Sequence, residues 1–129
     1  MPNDKRAEAF VVLASKDWEC SFQITEQPAI KVTTVHQKKA YVRYRMPKNR
    51  SEFGQAKECT LRGFEMVNMA IALSPESESA WSYKTNILLE LSKLAEMAGD
   101  LQQKRELYRQ YEEALKETTR LSKPSQPTP

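Results

Sequence analysis

At 129 residues, with 40% hydrophobic and 29% charged side chains and only three glycines, the chain is sized for one helix-rich domain with a core of its own. Its longest apolar run, Ala7 to Ala14, is broken by Glu8 and falls far short of the roughly 20 apolar residues of a bilayer span, so a soluble chain without membrane insertion is expected. The net charge of +3 is unevenly placed: residues 1–62 hold 12 basic and 7 acidic side chains, the remainder 8 and 10.

Apolar residues recur at helical spacing from Asp4 to about Phe22, through Ala7, Phe10, Val11, Leu13, Ala14 and Trp18, which predicts a first helix. Pro28 stops it, because proline lacks an amide hydrogen and disfavours helix at Gln27. No small-residue cleavage pattern follows the apolar run, so no signal peptide is read. Between Ile30 and Arg45 the pattern changes to alternating β-branched and aromatic residues. Two short strands flanking His36 to Lys39 would explain it, and so would an irregular extended insert, since no Asn-Gly or Asp-Gly turn is present. Asn49-Arg50-Ser51-Glu52 then supplies a helix start, and Ala56, Cys59, Thr60, Gly63, Val67, Ala70 and Ile71 form the buried side of a second helix ending at Ser74-Pro75.

A third helix is expected from Ser77 to Ala98. It is apolar on two adjoining stripes, Ala80-Tyr83-Ile87-Leu91-Leu94-Ala98 and Trp81-Leu88-Ala95, and must be covered from two directions. Gly99 suits the left-handed residue after its last turn, and Asp100 with Gln103 caps a fourth helix carrying Leu101, Leu107, Tyr108, Tyr111, Ala114, Leu115 and Leu121. So short a connection makes helices three and four antiparallel. The ending Lys-Pro-Ser-Gln-Pro-Thr-Pro, residues 123–129, has nothing to bury and is expected to be disordered, leaving 1–122 as a single domain with an insert at 25–50.

Gly63, Val67, Ala70 and Pro75, followed after six residues by Trp81, resemble the boundary between two tetratricopeptide repeats: small, bulky, small, proline, then tryptophan at the next first helix. Tyr111-Glu-Glu-Ala114 repeats the bulky-then-alanine spacing. Thr85 stands where such a repeat carries glycine, and about ten extra residues lengthen the hairpin, so the repeat is degenerate. Over residues 7–121 the chain resembles the carboxyl end of bacterial tetratricopeptide-repeat proteins. The resemblance implies about four helices in antiparallel hairpins, no catalysis, no cofactor, and a concave side that binds a protein or peptide. Because at most two repeats are present, self-association or a role as the capping end of a longer solenoid is the structural alternative.

The first helices of the hairpins would line that groove, which nominates Ser82, Lys84 and Asn86. The aromatics Trp81, Tyr83, Tyr108 and Tyr111 read first as core. The rival reading is a nucleic-acid accessory protein using the basic segment 38–50, with Tyr41 and Tyr44 interleaved among Lys38, Lys39, Arg43 and Arg45. A solvated edge strand guarded by charge explains the same residues. His36, the single histidine, has no nucleophile at a motif spacing, and no phosphate loop, zinc or hydrolase motif occurs, so neither an enzyme nor a metal site is read. Cys20 and Cys59 match no metal spacing; antiparallel packing of the first two helices would bring them together as a bridge, or they are two buried thiols. A bridge would point to an exported or periplasmic setting, free thiols to the cytoplasm.

Overall fold

A computed structural model describes residues 2–123, so the expected disordered tail lies, from residue 124 on, outside the described residues. Four helices and one antiparallel β-hairpin follow in the order α1 (Asn3–Thr25), β1 (Lys31–His36), β2 (Lys39–Tyr44), α2 (Arg50–Leu73), α3 (Glu78–Met97) and α4 (Leu101–Ser122). None of the helices is long and apolar enough to cross a membrane.

The helix ends follow from side-chain chemistry. Asn49 accepts the Ser51 amide at 3.0 Å, Ser77 the Ala80 amide at 3.2 Å and Asp100 the Gln103 amide at 3.0 Å, each satisfying a donor that the first helical turn leaves unpaired. Gly99 adopts φ 75° between α3 and α4, a backbone state open to glycine at little cost. The Trp81 indole donates to the Pro75 carbonyl at 2.9 Å, which gives the six-residue proline–tryptophan spacing a physical purpose: it pins the start of α3 to the loop before it.

Helices α1 and α2 pack as one antiparallel pair and α3 and α4 as another, and α3 lies against both members of the first pair. Its sides are therefore covered almost all round; no residue from Ala80 to Met97 is exposed. The centre of the core is Ala14, Val67 and Ile87, one from each of three helices. Gly63 allows that approach. A Cβ there would stand 3.0 Å from both Asp17 Cβ and Ile87 Cδ1. Beside it Asp17 accepts two bonds from Arg62, at 3.0 and 2.8 Å, so a carboxylate facing the α1–α2 seam is neutralised.

Cys20 and Cys59 are bridged, which decides between the two readings of the sequence. The bridge joins α1 to α2 across a separation of 39 residues and encloses the whole β-hairpin. In the chain-entropy picture a loop of that length contributes about 4 kcal/mol by restricting the unfolded chain.

Two expectations change. The fourth helix buries only Leu107 and Ala114, while Leu101, Tyr108 and Leu115 are exposed, because α4 rests on α3 and makes no comparable contact with α1 or α2. Leu13, placed by periodicity on the inner stripe of α1, is likewise turned to solvent with Val12. The insert is a hairpin, and its turn uses Gln37 and Lys38 at φ 51° and 65°. These are the two left-handed residues that a tight hairpin needs, here without the glycine or asparagine that adopts them easily.

Candidate functional site

Because α2 and α4 flank α3 with little direct contact beyond Phe64, a groove of about 430 Å³ opens between them over the second half of α3. Phe53, Leu61 and Phe64 of α2 form one wall, Leu107 of α4 the other, and Leu91 and Leu94 the floor. Leu61 is 51% exposed, a large apolar side chain kept on the wall with no partner over it. Toward the start of α3 the groove continues past Phe64 into a smaller pocket lined by Trp81, Lys84, Leu88 and Glu113. Gln110 of α4 lines both.

Lys84 is the cation of that second part. Its Nζ stands 5.2 Å from the centre of the Trp81 ring and 5.6 Å from that of Phe64, and burial lowers its pKa. It makes no ion pair among the described residues. The two carboxylates that line the same pocket, Glu113 and Glu117, are paired with Arg109 and Arg120, so this half-buried ammonium on two aromatic faces is left to accept one from outside.

Ser82 and Asn86 do not join Lys84. At 100° per residue they lie nearly opposite it on α3, on the side that carries Lys93, and both are half-buried. Tyr41, Arg43 and Arg45 are exposed on the hairpin. Cross-strand partners share a face, so Thr34, His36, Lys39, Tyr41 and Arg43 form one side, while Thr33, Val35, Ala40, Val42 and Tyr44 form the other. Tyr44 belongs to the core, packed with Ile24, Ile30, Ala56, Leu94 and Met97, so the basic side faces outward.

The base of the hairpin holds a charged junction that the sequence did not announce. Glu90, 1% exposed, accepts from Ser21 at 2.8 Å, from Thr25 at 2.7 Å and from Lys93 at 2.5 Å. Lys93, 5% exposed, lies 5.1 Å from the ring centres of both Phe22 and Tyr44, held between two aromatic faces. Glu96 takes the Tyr44 amide at 2.6 Å and pairs with Lys104 of α4. The Tyr44 hydroxyl is pushed up to about 12, chiefly by burial and then by Glu26, Glu90 and Glu96. Glu90 with Lys93 and Glu96 with Lys104 are paired, while Glu26 pairs with Lys31 through one oxygen and keeps the other buried without a partner among the described residues; together these bonds join α1, β2, α3 and α4.

Comparison with known proteins leaves the geometry as the basis for function: no family model matches the chain, and neither a curated protein nor a solved structure matches it.

Proposed function

We propose that this chain is a non-enzymatic interaction module of the tetratricopeptide kind, which takes an apolar peptide segment bearing a carboxylate into the groove between α2 and α4. The single observation that carries the reading is Lys84, a half-buried ammonium with no ion pair among the described residues, at one end of a groove whose other end is lined chiefly by apolar side chains, with Lys57 and Asp100 among them. Apolar anchors along the groove would supply affinity, and pairing with Lys84 would fix direction. The proposed tetratricopeptide kinship rests on the order of packing, with the third helix against both helices of the preceding pair, and on the Gly63-to-Trp81 spacing. The occupied groove then differs from the one the resemblance implies, since the second helices of each hairpin line it. The bridged cysteines support work in an oxidising compartment.

Selection of random peptides on the immobilised chain tests it. Enriched peptides should pair an acidic residue with large apolar ones, lose about tenfold affinity on Lys84→Gln, and fail to bind Leu61→Glu. Enrichment without an acidic residue, or binding indifferent to Leu61→Glu, would overturn the assignment.

A further inference from the structure

Residues 31–50 carry seven cations, Lys31, Lys38, Lys39, Arg43, Arg45, Lys48 and Arg50, and no carboxylate. Lys31 pairs with Glu26 at 3.0 Å; the other six are exposed and make no ion pair among the described residues. The hairpin that presents most of them is fixed at its base by the Glu96–Tyr44 bond, by Lys93 against the Tyr44 ring and by the Arg45 amide on the Ile30 carbonyl at 2.8 Å. Its outer half touches nothing that buries it. Val35 near the tip is 75% exposed, beside its cross-strand partner Ala40, with the exposed Lys38 and Lys39 adjoining.

We propose that this hairpin is a docking arm for an anionic lipid surface, its tip entering the headgroup layer. The charge decides that the occupant is a polyanion. The apolar tip selects among polyanions. A reader of nucleic-acid phosphates gains nothing from Val35, whereas at a headgroup boundary that side chain leaves water while lysine stems let the ammonium groups reach phosphate. The exposed Tyr41 ring, next to Ala40 and on the opposite face of the ribbon from Val35, is of the type that settles at such interfaces. Charge guarding a strand edge explains the lysines alone and leaves Val35 unexplained. The compartment implied by the disulfide, part of the functional reading above, favours a bilayer over nucleic acid in the same direction.

The test is cosedimentation of the full chain with vesicles of equal parts phosphatidylglycerol and phosphatidylcholine, against phosphatidylcholine alone, at low and high salt. Binding should require phosphatidylglycerol and weaken with salt. Lys38→Gln/Lys39→Gln/Arg43→Gln should reduce it about 100-fold, at several-fold per cation. Val35→Ser, with every charge kept, should reduce it about tenfold, the low end of what losing one buried apolar side chain costs. All four positions are exposed, so the helical fold is untouched and unchanged circular dichroism confirms it. Failure to sediment, equal binding to phosphatidylcholine, full binding by either variant, or tighter binding to duplex DNA or to a polyglutamate peptide than to the vesicles would each overturn the proposal. Leu61→Glu leaves the arm intact, so loss of groove binding with vesicle binding kept separates failure of one reading from failure of the other.

Discussion

Glu90 shows how one residue can set the character of a fold. A carboxylate taken out of water is tolerated only with its lone pairs filled, and Ser21, Thr25 and Lys93 fill them. Glu90→Gln keeps the shape and removes the charge, stranding the Lys93 ammonium between Phe22 and Tyr44. It should lower unfolding free energy by about 3 kcal/mol in urea titration, while Glu90→Leu/Lys93→Met should recover most of that loss. Equal losses in the two variants would show that packing and not charge is at stake. Tyr44, beside this pair, makes a second prediction. Its phenol titrates higher when folded, so the folded chain holds the proton that the unfolded chain releases. Stability should be unaffected below pH 10 and fall between pH 10 and about 12, and Tyr44→Phe should abolish that fall in denaturation followed against pH. None of this was legible from periodicity, which assigns a charged residue to solvent. The available signal was that α3 is apolar on two stripes and so has little solvent side left for Glu90 and Lys93 to occupy.

At the scale of the element, glycine reads differently in two places on one helix. Gly63→Ala gains helix propensity but brings its methyl to 3.0 Å from Asp17 Cβ, which the Arg62 pair and the α1 backbone hold in place. Overpacking should win by about 1–2 kcal/mol. Gly54→Ala meets nothing within 4 Å and should stabilise by about 0.5–1 kcal/mol, so the two thermal midpoints should move in opposite directions. The hairpin turn offers the converse case. Gln37 and Lys38 bear left-handed strain that an asparagine followed by a glycine would relieve; the double substitution Gln37→Asn/Lys38→Gly should slow amide exchange in β1 and β2 without changing α1 to α4. These elements were largely readable. The Asn49 and Asp100 caps, the Gly99 stop, the start of α3 at about Ser77 and the buried side of α2 all stand where local chemistry put them. The hairpin was left open because its turn lacks the residues that announce one.

Across the whole molecule the parts are unequally tied. Helices α1 and α2 share a disulfide, the Asp17–Arg62 pair and the central core, and α3 is enclosed by them and by β2. Helix α4 rests on α3 through Leu107, Ala114 and half-buried Tyr111, helped by the Lys104–Glu96 and Arg120–Glu76 pairs. Ion pairs as exposed as Arg120–Glu76 contribute little. Such an arrangement could not be read from the fourth helix's apolar pattern, because periodicity gives a face and not the number of neighbours that cover it. It also bears on the groove: α4 is one of its walls, so whatever loosens α4 opens the site. Native-state hydrogen exchange should therefore find α4 amides opening at a lower free energy than those of α1 and α2, by a sub-global step that leaves the disulfide-linked pair folded. A bound groove peptide should raise the protection of α4 more than that of α1, since it bridges the wall to the rest. Identical opening free energies in all four helices would show one cooperative unit and a rigid groove, and would remove the reason to expect adaptation by α4 on binding.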